Sequence, residues 1–184
     1  MQQNSQRYKT KMIVEAGLAI AMAQILGMFV LYQMPQGGAV KAANLVPLLI
    51  FAYRWGGKAG IVTGVAYGIL HFIVGMKFTI HYASILLDYL IAYGAVGLAG
   101  YFKGGQVKAT FGAVNAMIVK FLASVISGAV VFGSYAPAGQ NPWIYSIVYN
   151  ATYMVPDMFI NLVVVALFYA PIMKGINSVS PVTR

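Results

Sequence analysis

The chain has no cysteine, three acidic residues and two histidines. Without cysteine there is no disulfide, no thiolate metal site and no cysteine nucleophile. His71 and His81 alone leave little from which to build a metal centre, and no metal or cofactor is expected. Gly57-Lys58 is followed by alanine and lacks the upstream glycine of a phosphate-binding loop, so the chain cannot hydrolyse ATP by that route. There is no H-E-x-x-H. Charged residues of both signs amount to 8% of the 184 residues, against about 25% in soluble globular domains.

What is present is apolar. Hydrophobic residues make up 60% of the chain and the mean hydropathy is +0.77. Disorder requires the opposite balance. An integral membrane protein is expected, all-α, with six transmembrane helices in one compact bundle. A crossing needs about 20 mostly apolar residues. Candidate spans are Met12–Met34, Ala39–Tyr53, Ala59–Val74, Tyr82–Phe102, Thr110–Phe132 and Ile144–Met173. The second is short and holds Pro47; a hairpin that does not fully cross could replace the second and third. MPQGG, RWGGK, GMK, KGGQVK and SYAPAGQNP separate the spans with loop-forming residues. No long linker intervenes, so residues 1–184 read as a single membrane domain. The segment 1–11 is a short basic lead. The apolar run after it is too long for a cleavable signal and is read as a retained helix.

The net charge of +9 would suggest nucleic acid in a soluble chain. In a membrane chain its placement matters instead. One side collects Arg7, Lys9, Lys11, Arg54, Lys58, Lys103, Lys108, Lys174 and Arg184; the other has only Lys41 and Lys77. This is a positive-inside bias, which predicts both termini in the cytoplasm and removes the need for a nucleic-acid partner.

Four ionisable residues fall inside spans: Glu15, Lys120, Asp157 and Asp88. Each costs about 2.5–3.5 kcal/mol at the bilayer centre, so each is expected to face an interior or a partner. Glu15 is close enough to the inner surface to reach water. Lys120 and Asp157 are expected to form a structural ion pair. Asp88, in SILLDYLIAY, lies about two turns below the outer surface. It suits the floor of an outward-facing pocket, and a salt bridge to Lys120 is the competing reading. Ser124, Ser127, Gly128 and Phe132, with Trp143, Tyr145, Tyr149, Asn150 and Tyr153, lie near the same outer level. Aromatic walls with a few placed polar groups suit a small planar ligand. Gly60, Gly64 and Gly68 form overlapping GxxxG motifs, expected to serve packing within the bundle. Gly17 and Ala21 carry the same spacing on the first span, where a partner is as good a reading as packing. His71 beside Ser124 or Ser127 would be required for intramembrane serine hydrolysis, but no nucleophile-elbow pattern surrounds either serine.

The string GILHFIVG…ILLDYLIAYGAVGLAGYF, with six spans and a basic N-terminus, resembles the thiamine-specific substrate-binding subunit, or S-component, of energy-coupling factor transporters. The similarity runs through most of the chain. It is strongest from Tyr53 to Phe102 and continues through VKFLASVISG and IYSIVYN. The resemblance implies a protein of the bacterial cell membrane, not an enzyme, that binds a vitamin from outside. It further implies association with a transmembrane coupling subunit and two cytoplasmic ATPases, and delivery of the vitamin by toppling in the bilayer. The family's first-helix small-residue motif corresponds to Gly17 and Ala21. Its glutamate-tyrosine pair corresponds to Asp88 and Tyr89, its fifth-helix glycine to Gly128, and its sixth-helix tyrosine and asparagine to Tyr145 and Asn150. Ser124 stands where the family has a histidine, Phe132 or Gly133 where it has a tryptophan, and Gly38 near another tryptophan. These departures add hydroxymethylpyrimidine to thiamine as an expected ligand, with a pyridoxine-like ring as the further alternative.

Overall fold

In the computed structural model, which describes residues 2–75 and 80–179, the chain is a bundle of six helices with one small hairpin. Lys77 and Arg184, counted in the charge balance above, lie outside the described residues. Helix α1 spans Gln2–Met28. The strands β1 (Val30–Gln33) and β2 (Ala39–Lys41) follow, then α2 (Val46–Trp55) and α3 (Gly57–Val74). The last three helices are α4 (Tyr82–Tyr101), α5 (Gln106–Val131) and α6 (Pro142–Val179). Five of the six are long and apolar enough to cross a membrane. The expected all-α membrane bundle is found, and its second member is the short one.

The first two predicted spans are redrawn. The run to Met34 does not stay helical; Val30–Gln33 pairs antiparallel with Ala39–Lys41. Gly37, at φ 96°, closes the turn by donating its amide to the Met34 carbonyl at 3.1 Å. The run from Ala39 then yields only ten helical residues, about 15 Å at 1.5 Å per residue and half the hydrocarbon thickness. Pro47 does not interrupt this helix. It sits in the first turn, where its missing N–H costs nothing.

The glycines of α3 do pack within the bundle. A Cβ on Gly60 would lie 2.9 Å from Gly97 Cα, one on Gly64 2.2 Å from the Tyr93 carbonyl oxygen, and one on Gly68 2.1 Å from that of Tyr89. Only glycine lets α3 and α4 touch backbone to backbone along this seam. On α1, Ala19 and Ala23 face the interior, whereas Gly17 and Ala21 are exposed.

At one end of the bundle, Glu15 does more than reach for water. Its carboxylate pairs with Arg54 Nε at 2.6 Å and accepts from Trp55 Nε1 at 2.7 Å. Arg54 also donates to Asn177 Oδ1 at 3.0 Å, so one clamp joins α1, α2 and α6. Burying a charge is tolerated here because every charged group in the clamp is bonded.

Candidate ligand cavity

At the opposite end of the bundle, the hairpin and helices α3–α6 enclose a cavity of about 150 Å³. Its walls include Asp88, Tyr89, Ser124, Gly128, Phe132, Tyr145 and Asn150, all the residues expected at a ligand site. They come from three helices and are brought together by packing.

Asp88 and Tyr89 project from an unusual turn. Residues Ile85–Ile91 form a π-helical segment inside α4, in which the Ala92 amide bonds back to the Leu87 carbonyl, five residues earlier. Such wide turns rephase side chains and cluster at functional positions. Asp88 accepts hydrogen bonds from Ser84 Oγ at 2.7 Å and from Ser127 Oγ. Those two hydroxyls fix the carboxylate without neutralising it. Tyr89 is held by an edge-on contact with Phe72, 5.0 Å between centroids.

The ion pair expected between Lys120 and Asp157 is not formed. Neither residue has an ion-pair partner within 4 Å among the described residues, whereas Arg54 and Glu15 at the far end of the bundle do pair. The Lys120 ammonium sits 5.3 Å from the centre of the Tyr93 ring. Asp157 is occupied elsewhere: its Oδ1 accepts from the Lys41 backbone amide at 2.9 Å. Asn161, one turn on, donates to the Asp157 carbonyl and accepts from the Leu45 amide. Cation–π attraction and hydrogen bonds meet the needs of both groups without direct contact. The alternative salt bridge from Lys120 to Asp88 is absent as well. Both lysine–aspartate pairs share the cavity wall as neighbours only.

Asn150 has its amide satisfied inside the protein. Its Nδ2 donates to the Ser146 carbonyl at 2.9 Å, and its Oδ1 accepts from Tyr153 at 2.7 Å. Gly128 is needed for this arrangement, because a Cβ there would lie 2.2 Å from Ser146 Oγ. Trp143 is half exposed and does not line the cavity, as an interfacial belt residue would be.

Several further residues line the cavity; of these, the sequence places Tyr149 and Tyr153 only among the aromatics at the outer level. Tyr149 and Tyr153 continue a ladder from Tyr145, with successive ring centroids 6.1 and 5.9 Å apart. The four-residue spacing Tyr145, Tyr149, Tyr153, Asp157 was the signal, since i±4 side chains form one ridge of a helix. The hairpin contributes Gln36–Ala39 and Lys41. Gly38 packs flat on the Tyr153 ring, where a Cβ would come within 2.4 Å; an aromatic side chain there is excluded. The Tyr149 hydroxyl accepts from the Gln36 amide at 3.0 Å and pins the hairpin over α6.

His71 does not approach a serine. Its Nε2 lies 3.1 Å from Lys41 Nζ and its Nδ1 3.3 Å from Gln24 Oε1. Burial and the Lys120 charge push the Lys41 ammonium down to about 8, against a smaller pull from Asp157. With the Lys41 side chain donating to Nε2, the ring proton is assigned to Nδ1, facing Gln24. The Ser–His pairing that hydrolysis requires is not assembled.

The family model described as "Thiamine transporter protein (Thia_YuaJ)" matches residues 13–176, nearly the whole chain. This chain belongs to the thiamine transporter protein family. It is 38% identical over 174 residues to the thiamine transporter ThiT of Bacillus subtilis, covering 85% of this chain and 89% of that protein. It is 30% identical over 140 residues to ThiT of Lacticaseibacillus paracasei, covering 67% and 70%. The fold is similar to a solved structure of ThiT from Listeria monocytogenes, with a TM-score of 0.78 and 16% identity over 90% of this chain and 97% of that one. The thiamine transporter family is one of transporters, not enzymes, and this member is a multi-pass membrane protein.

Proposed function

We propose that this protein is the thiamine-binding subunit of an energy-coupling factor importer. Its site is the cavity around Asp88, which also suits thiamine-related pyrimidines such as hydroxymethylpyrimidine. The observation that carries the reading is a carboxylate held by two serine hydroxyls, with no cation within ion-pair distance among the described residues, in a cavity walled by tyrosines. A planar cation supplies the missing charge at Asp88 and stacks on the rings. The names of the two curated relatives support thiamine as the cation. The positive-inside bias supports a cavity that opens outward with both termini in the cytoplasm of a bacterial cell.

Purified protein is expected to be stabilised against heat by thiamine. A ligand at 100 times its Kd adds about 2.7 kcal/mol to the native state. For a chain of this size that is a rise of roughly 5–11 °C in melting temperature. Pyridoxine and unrelated vitamins are expected to give no shift. A panel in which no heterocycle shifts the transition would overturn the binding reading.

In this proposal the energy comes from partners: a transmembrane coupling subunit and two cytoplasmic ATPases, with the vitamin released inward as the subunit topples. Gly17 and Ala21 are exposed and one turn apart on α1, and nothing lies within 4 Å of a Cβ placed on Gly17. Such a face suits close approach by a partner helix. A Gly17→Leu, Ala21→Leu double variant is expected to bind thiamine normally and to lose co-purification with the ATPase pair. Unimpaired assembly of that variant would remove this face from the interface.

A further inference from the structure

A second cavity, of about 190 Å³, lies between α5 and α6. Met117 and Phe121 of α5 face Met154 and Met158 of α6 across it. Ile118 and Val155 form its rim and are 46% and 59% exposed, on helices whose outer surfaces face the bilayer. Its back wall is Leu45, Lys120 and Asp157, the three residues that also line the polar cavity.

The contents follow from chemistry and depth. An apolar cavity of about 150 Å³ stays dry and takes a hydrocarbon guest, whereas a buried water needs two to four polar partners. Here the two polar wall residues are engaged on the other side, Lys120 over Tyr93 and Asp157 with the Lys41 amide and Asn161. Ile118 stands midway along α5, roughly 18 Å from either end at 1.5 Å per residue. That is the mid-plane of a hydrocarbon layer about 30 Å thick. No headgroup resides at that depth, and acyl chains are the surrounding medium. Three methionines give the lining the adaptability that a flexible, unbranched guest needs.

We propose that this lateral cavity is a lipid acyl-chain site, filled sideways from the bilayer between Ile118 and Val155. The chain backs the stem of Lys120 and so closes the polar cavity from behind.

The test is photolabelling in lipid nanodiscs, without vitamin, so that it stands or falls independently of the thiamine reading. The probe is phosphatidylcholine with a diazirine at the end of one acyl chain. After irradiation, adducts are expected to concentrate several-fold on Met117, Phe121, Met154 and Met158 over the exposed positions Leu122 and Phe159. Filling the cavity by Met154→Phe is expected to bring that labelling down to the level of the exposed positions. A probe with its diazirine next to the glycerol is expected to leave the four lining residues unlabelled, a comparison that needs no variant if Met154→Phe does not fold. Even labelling over both helices, or equal labelling by the two probes, would overturn the proposal. So would labelling unchanged in a folded Met154→Phe protein.

Discussion

Replacing Asp88 by asparagine is expected to weaken thiamine binding by about 30-fold or more. Removing one partner of a desolvated, hydrogen-bonded charge pair costs about 2–5 kcal/mol, and each 1.4 kcal/mol is a factor of ten. The substitution is a clean one. Ser84 and Ser127 donate to Oδ2, and an asparagine oxygen in that place accepts both bonds. What is lost is the charge. No ammonium or guanidinium pairs with Asp88 within 4 Å among the described residues, so under the proposed function the ligand's own cation is the expected counter-charge. A neutral analogue such as hydroxymethylpyrimidine is expected to lose far less affinity than thiamine. Isothermal titration of both ligands against both proteins checks this. Equal losses for the two would mean that Asp88 shapes the cavity without balancing ligand charge.

The second large effect is expected at Gly64, far from any ligand contact. A side chain there meets backbone: the Tyr93 carbonyl oxygen at 2.2 Å, its carbon at 2.9 Å and Gly94 Cα at 3.2 Å. Backbone atoms in a packed helix cannot swing aside as a side-chain tip can. Helix α4 must therefore move off α3, carrying with it Tyr93, the π-helical turn and Asp88. Overpacking of this kind costs about 1–3 kcal/mol for ordinary core sites, occasionally more. Gly64→Ala is expected at the upper end of that range, a fall of roughly 6–12 °C in melting temperature. Gly64→Leu is expected to give no monodisperse protein at all. Gly17→Leu is the control, because a Cβ on the open face of α1 meets nothing within 4 Å. It is expected to melt with the parent. A folded Gly64→Leu protein melting within about 2 °C of the parent would mean that the α3–α4 seam is not the close contact described.

These two residues also mark how far the sequence could be read. Gly64 belongs to a period-four glycine pattern, which local chain geometry turns directly into a helix face. Its role as a packing seam was legible before any coordinates. Asp88 was legible as an expensive residue with a job, but its partners were not. The readings weighed for it were a ligand and Lys120; the structure gives it Ser84 and Ser127. Ser84 lies four residues away in the same helix, yet it reaches Oδ2 in a turn partly of π geometry, which carries no pattern that periodicity would reveal. The Lys120–Asp157 pair failed for a related reason. Opposite charges on neighbouring spans predict attraction, but Lys41 reaches Asp157 from a hairpin that hydropathy had read as the start of a span.

Composition by itself determined that the chain is a membrane protein, because 8% charged residues and 60% hydrophobic ones cannot make a water-facing surface. Hydropathy located α3, α4 and α5 to within about four residues at either end, and basic-residue asymmetry set the expected orientation. These are one-dimensional quantities, and the bilayer acts on them one segment at a time. Tertiary structure alone decided that Val30–Lys41 is a hairpin lining the cavity, that the Tyr145–Tyr149–Tyr153 ridge faces inward with Gly38 flat against it, and that His71 answers to Lys41 rather than to a serine. Those outcomes depend on which backbone groups and rings find partners when α3 to α6 close together. That competition is settled by three-dimensional fit, between residues as much as 116 positions apart.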